Sequence, residues 1–217
     1  MKTIILKINS KKPEKEKIKI AASILRRGGL VAFPTDTVYG LAADATNSKA
    51  VKKIFEVKKR PLTNPLPILI AKKRDLKKYT GKISAEIKKI TDKFWPGPLT
   101  IVLKKKKMIS NAVTADLPCV GVRVPDNAVA LALIQTLGRP LAATSANLSN
   151  RPSPKTATAV KKNLDNKIDL ILDGGKTKLG RESTVLDCTS SPPTVRRPGT
   201  ITMATIEKIL KNKKTGR

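Results

Sequence analysis

The chain of 217 residues contains no histidine. That absence removes the commonest general base, the Ser-His and Cys-His nucleophile pairs and the usual zinc ligand. Cysteine is nearly missing too. Cys119 and Cys188 are too few for a disulfide framework or a four-ligand zinc site, and they read as small buried hydrophobes. Aromatic residues make up only 3%, so the base-stacking platforms of single-strand binders are lacking. No apolar run approaches the roughly 20 residues that span a bilayer, and the stretch Met1 to Lys7 is shorter than a signal h-region of about 7 to 15 residues. The expectation is a cytoplasmic protein with no membrane association. No GxGxxG occurs, and the phosphate loop fails because Gly175-Lys176-Thr177 has Leu170 where the first glycine belongs. Acidic side chains are scarce: 16 Asp and Glu face 45 Lys and Arg, for a formal charge of +29. Such an excess draws polyanions, nucleotides and RNA alike, without specificity. Most of these lysines, including Lys104 to Lys107, read as solvated faces or loops.

At 40% hydrophobic, the chain can build a real core, and one domain over 1–217 is expected, with its core at about 14–210 and Lys-rich, flexible stretches at Lys11-Lys12 and Lys211 to Arg217. Apolar spacing predicts a helix from Pro13 ended by Gly28-Gly29, then helices at Ser48 to Lys58, Ser84 to Phe94, Asn127 to Leu137, Pro154 to Asn163 and Thr205 to Leu210. Strands are expected at Gly29 to Phe33, Leu66 to Ile70, Leu99 to Leu103, Val120 to Val124, Pro140 to Ala143, Ile168 to Leu172 and Thr184 to Leu186. Pro67 argues that the second of these lies near a sheet edge. This alternation makes the fold class α/β.

Polar clusters stand where strands end. Phe33-Pro34-Thr35-Asp36-Thr37-Val38-Tyr39-Gly40 crowds hydroxyls, a carboxylate and a phenol beyond an apolar run. Lys58 and Arg60 share one connection with Asn64. Ser145 and Asn147 follow the run Pro140 to Ala143, and Ser153, Ser183 and Arg197 come later. Cations and hydroxyls of this kind stabilise phosphate charge but do not shuttle protons, which suits transfer at a phosphate. Taken singly, Thr37 and Ser183 also fit turn caps, Arg123 a surface position and Lys58-x-Arg60 a solvated loop. Trp95-Pro96-Gly97-Pro98 reads as a structural turn with a packed tryptophan.

The runs GGLVAFPTDTVYGLAADA from Gly28, KKRPLTNPL from Lys58, WPGPLTIVLKK from Trp95, VGVRVPDN from Val120, ATSANLSNRPSP from Ala143, ILDGG from Ile171, ESTVLD from Glu182 and RRPG from Arg196 closely resemble the threonylcarbamoyl-adenylate synthase family, whose domain is of the YrdC type. The resemblance implies a twisted, mixed sheet with flanking helices and a concave basic active-site face. It implies that L-threonine, bicarbonate and ATP give threonylcarbamoyl-adenylate, pyrophosphate and water, with Mg2+ carried mainly by the ATP phosphates. By position, Lys58, Arg60, Asn64, Ser145, Asn147, Ser153 and Arg197 hold ATP, with Cys119 adding backbone only, and Lys58, Arg60, Ser145 and Asn147 form the catalytic set. Thr37, Arg123 and Ser183 then hold threonine, Arg123 as the carboxylate clamp. The product passes to a separate tRNA threonylcarbamoyl transferase for t6A modification, and direct RNA binding is a further expectation. Two departures stand out. Leu69 occupies a position where some members carry a threonine-binding histidine, and the chain ends soon after Gly199, where longer members continue into another domain. The rival readings are a non-catalytic RNA-binding or ribosome-maturation module, and a carbamoyl-transfer domain of the kind found in hydrogenase-maturation proteins.

Overall fold

The computed structural model describes residues 2–211, with strands β1 (Ile4–Lys7), β2 (Val31–Phe33), β3 (Gly40–Asp44), β4 (Ile68–Leu69), β5 (Leu99–Lys104), β6 (Cys119–Arg123), β7 (Leu141–Ser145), β8 (Leu170–Asp173), β9 (Thr184–Asp187) and β10 (Thr194–Arg197). The helices are α1 (Lys15–Arg26), α2 (Ser48–Lys58), α3 (Leu76–Tyr79), α4 (Ala85–Phe94), α5 (Asn111–Thr114), α6 (Ala128–Leu137), α7 (Ala157–Leu164) and α8 (Met203–Lys211). One ten-stranded sheet runs β1-β8-β2-β3-β7-β4-β6-β5-β9-β10. It is mixed: β1, β2 and β8 are parallel, as are β4 with β6 and β5 with β9, while the remaining neighbours are antiparallel.

Local chemistry sets most boundaries. Asn47, Ser84, Asn127 and Thr156 each accept a backbone N–H from the first turn of α2, α4, α6 and α7, which satisfies donors that a helix end otherwise leaves orphaned. Helix α1 closes where Gly28 adopts φ +79°, a left-handed geometry that a Cβ opposes. Ile18, Ala21, Ala22 and Leu25 form its buried stripe, and the two alanines let α6 pack close.

Strand residues alternate between two cores. Ala32, Leu41, Ala43, Ala142 and Ile171 enter one, with α2, α4 and α7; Val31, Phe33, Ala42, Leu141, Ala143, Leu170 and Leu172 enter the other, with α1 and α6. A period of two places successive side chains on opposite faces, and a sheet covered on both faces reads as unbroken apolar runs. The second core takes nothing from β5, β6, β9 or β10. There the same face carries Thr100, Arg123 and the residue just ahead of β9, Ser183, so it floors a cavity rather than a core.

Three expectations are corrected. The Pro67 strand is central, since β4 lies between β7 and β6. Pro67 stands just before the paired residues and takes part only through its carbonyl, which accepts Ala143 N at 3.0 Å, so its missing N–H costs no ladder bond. Strand β1 enters the sheet beside β8, ahead of the core start expected at about 14. Lys11 and Lys12 form an ordered turn, both amides donating to Asn9 Oδ1 at 2.9 Å. The stretch after Lys211 lies outside the described residues. Trp95 is packed as expected, 3% exposed with Nε1 donating to Leu99 O at 2.7 Å. No described helix is long and apolar enough to cross a membrane.

Candidate active site

A cavity of about 420 Å³ opens on the uncovered half of the sheet, within the size range of small-molecule sites. Thr37, Lys58, Arg60, Asn64, Arg123, Ser145, Asn147, Ser183 and Arg197 all line it, although they come from six separate stretches of chain. Thr37 belongs to the turn between β2 and β3. Lys58 ends α2, and the left-handed Lys59 (φ 50°) swings the chain into the loop that carries Arg60 and Asn64. Arg123 closes β6, Ser145 closes β7 ahead of Asn147, Ser183 precedes β9, and Arg197 closes β10.

Lys58 works inward. Its Nζ donates to Ser145 O at 2.6 Å and to Asn147 O at 2.5 Å, with Asn147 Oδ1 at 3.4 Å. The ammonium therefore ties the end of α2 to the end of β7. Burial, reinforced by neighbouring Arg60 and opposed by Glu182, pulls its pKa down to about 8, while the three carbonyl acceptors require the charged form near neutral pH. Asn147 Nδ2 closes its own loop on Leu148 O (3.0 Å) and Arg151 O (2.5 Å). Arg60 folds its loop around itself through Nε to Asn64 O and Nη2 to Pro65 O, both 3.0 Å. Burial and Arg197 lower its pKa, against Glu182, yet a guanidinium stays charged.

Arg123 lies on the floor, 6% exposed. Its Nε donates to Gly97 O (2.9 Å), Nη1 to Thr37 Oγ1 (3.0 Å) and Nη2 to Asp36 Oδ1 (2.5 Å). Among the described residues, two of its five N–H groups have no acceptor. Burial lowers its pKa and the facing Asp36 opposes that. Thr37 Oγ1 also meets Thr35 Oγ1 at 2.9 Å, and Ser183 Oγ meets Thr100 Oγ1 at 3.0 Å. At the rim, Arg197 Nη2 donates to Ser183 O (2.9 Å) and Ser183 Oγ (3.2 Å), and Nη1 faces Glu182 Oε2. The main chain here is tightly seated: a Cβ at Gly199 would lie 2.3 Å from Thr184 N and 2.4 Å from Ser183 C, so only glycine lets the two stretches touch.

Two expected residues stand elsewhere. Ser153 is behind the lining and reaches it through Glu182, its Oγ donating to Oε1 at 2.5 Å. Cys119 is absent from the lining. It begins β6 whereas Arg123 ends it, about 13 Å away at strand rise, and burial followed by Asp187 raises its thiol pKa. Leu69 lines the cavity where a histidine was the alternative. Thr35, Asp36 and Tyr39 belong to the polar cluster singled out in the sequence but carried no role there, and Asp36 orients Arg123; the lining residues Arg151 and Glu182 carried none either. The signal for Glu182 was charge: a cavity of gathered cations needs an anion when empty, and this residue adjoins Ser183.

A mixed sheet, helix-covered on one half and opening on the other into a cation-lined cavity at strand ends, places the chain among α/β proteins with a cleft whose charge suits anions. The family described as Telomere recombination, which groups Sua5, YciO and YrdC, matches residues 23–199. Two similar relatives are named threonylcarbamoyl-AMP synthase. The one from Pyrococcus abyssi is 47% identical over 96% of this chain and 61% of its own length, and the one from Bacillus subtilis is 49% identical over 88% and 55%. The crystal structure of P. abyssi Sua5 complexed with L-threonine superposes with TM-score 0.93 at 46% identity, covering 96% of this chain and 61% of that one. The chain belongs to this family. It spans somewhat over half the length of those relatives.

Proposed function

We propose that this protein is an L-threonylcarbamoyladenylate synthase, joining L-threonine, bicarbonate and ATP with release of pyrophosphate and water. The observation that carries the reading is the convergence of Thr37, Arg123 and Ser183 with Arg60, Ser145, Asn147 and Arg197 in one cavity. The names of the relatives and the threonine complex of the P. abyssi protein support it. Arg123 receives the amino acid's carboxylate on its two uncommitted N–H groups, with the Thr37 and Ser183 hydroxyls beside it. Arg60 and Arg197 receive the triphosphate and stabilise the departing pyrophosphate, while Lys58 and Asn147 keep the two loops in register. Placing the threonine nitrogen, the carbamate carbon and the α-phosphorus side by side in a partly dry cleft protects a carbamate that water would decompose.

Mg2+ belongs to the nucleotide in this reading. Among the described residues no three His, Cys, Asp or Glu side chains gather as a metal cage, and the cavity's carboxylate, Glu182, already faces Arg197 and Ser153. A cation held by phosphate oxygens and water fits such a site, and it neutralises phosphate charge when bound. The product would pass to a separate tRNA threonylcarbamoyl transferase in the cytoplasm for t6A modification. The net charge of +29 supports direct attraction to RNA.

The test is pyrophosphate release together with mass detection of the labile adenylate from labelled bicarbonate. Release should need threonine and bicarbonate together, and Arg60→Ala or Asn147→Ala should lose most turnover. Robust turnover without threonine overturns the reading; tight salt-sensitive RNA binding with no response to ATP plus threonine replaces it with the binding-module alternative.

A further inference from the structure

Among its described lining residues the cavity sets one carboxylate, Glu182, against Lys58, Arg60, Arg123 and Arg197, with Lys59 and Arg151 at the margin. That carboxylate is badly placed for a polyphosphate site, since a like charge beside the phosphates weakens their binding. Its two oxygens face Arg197 and Ser153; the proposed function gives Arg197 to the triphosphate, and the family resemblance gives Ser153 to ATP. Its charge also reaches Lys58 and Arg60, where it opposes the lowering of their pKa values.

The amino-acid half of the substrate set has the opposite requirement. A zwitterion whose carboxylate sits on Arg123 carries an ammonium into a field of guanidinium groups, and it needs an anion within reach. Glu182 is the residue before Ser183, and Arg197 bonds both of them, so the carboxylate and the expected threonine contact share one short segment. The backbone there is fixed: Glu182 O accepts Thr200 N at 3.3 Å, and Gly199 is seated against residues 182–184. The Glu182 side chain is 33% exposed, which leaves it free to change rotamer while its main chain stays in place.

Resting on the function proposed above, we propose that Glu182 binds the ammonium group of the amino-acid substrate, and that the triphosphate frees it to do so by taking Arg197 from it. In the empty cavity Glu182 and Arg197 satisfy each other. Phosphate oxygens compete for Arg197, and Glu182 Oε2 then faces the cavity without its cation. The substrate's ammonium is the replacement. Nucleotide and amino acid therefore bind with positive coupling, and by linkage each tightens the other equally.

Calorimetric titration tests this, using an ATP analogue with a methylene bridge between the α and β phosphorus atoms, L-threonine, and 3-hydroxybutanoate, which keeps the carboxylate and hydroxyl but lacks the ammonium. The native protein should bind threonine more tightly with the analogue present, and should prefer threonine to 3-hydroxybutanoate. Glu182→Gln keeps the shape and an acceptor for Ser153. It should lose the preference by on the order of tenfold or more, the scale of a charge-assisted bond, with coupling falling toward unity while the analogue binds at least as tightly as before. Glu182→Asp should restore part of the preference, which a merely structural role satisfied by glutamine would not require. Native-like preference and coupling in Glu182→Gln overturns the inference and leaves the reading of the site intact; a native protein that binds neither threonine nor analogue overturns both.

Discussion

Two arginine–carboxylate pairs bound this cavity, one beneath its floor and one at its rim, and they differ in exposure. Arg123 and Asp36 form the floor pair, with side chains 8% and 2% exposed, held additionally by Gly97 O, Thr37 Oγ1 and the amide of Asp126. Arg197 and Glu182 form the rim pair, 47% and 33% exposed. A buried pair is part of the architecture, because removing one partner strands a charge in low dielectric. A half-exposed pair is exchangeable, because water and ligands compete for it at little cost. The contrast sets a fixed, buried guanidinium on the floor against an exchangeable one at the mouth of the same cavity.

The largest expected effect lies at the floor. Asp36→Ala leaves the Arg123 guanidinium buried without its counter-charge and should cost about 3–5 kcal/mol of stability, read as a shift of the urea midpoint; a loss under about 1 kcal/mol would erase the distinction between the pairs. A medium effect is expected between them, at Lys58. Its pKa is about 8 in the folded chain against 10.5 unfolded, so between those values the unfolded chain binds more protons and the stability contribution of Lys58 rises with pH. The penalty for burying the ammonium is fully present below about pH 8. Native protein should therefore gain roughly 1–2 kcal/mol relative to Lys58→Met between about pH 7.5 and about pH 9.5, and a constant difference would mean that Lys58 does not titrate in that range. The smallest stability effect is at the rim. Arg197→Ala should change stability by only about 0–1 kcal/mol while weakening nucleotide binding in a thermal-shift titration. A cost equal to that of Asp36→Ala would make the rim pair structural after all.

Much of this was legible in the sequence. Helix α2 falls at the expected Ser48–Lys58, because an Asn cap, an apolar stripe and a sharp stop all act within one short segment. The expected site residues follow from the family resemblance, whose motifs fall at strand ends punctuated by glycine, proline and short polar side chains; spacing alone singles out neither Thr37 nor Ser183. The missed features depend on distant partners. Strand β3 (GLAAD) has no alternating pattern, since both of its faces are buried; only its neighbours β2 and β7 make it a strand. Strand β1 is an exposed edge whose pairing with β8 bridges most of the chain. Lys58 reads as a phosphate-binding cation by composition, yet its donors go to carbonyls some ninety residues away in sequence, and no local pattern announces that. Cys119 was assigned by motif position, and only strand direction shows that it starts β6 at the end remote from Arg123. Glu182 was passed over because a carboxylate looks out of place in a phosphate site until the whole charge balance is visible.

Gly199 has a mechanical consequence. By letting the bend after β10 lie flush on residues 182–184, it seats the main chain that carries Arg197 directly against the main chain that carries Ser183 and Glu182. A side chain at position 199 would have to part the two main-chain stretches, and so would displace Arg197 from Ser183 and Glu182 in a single step.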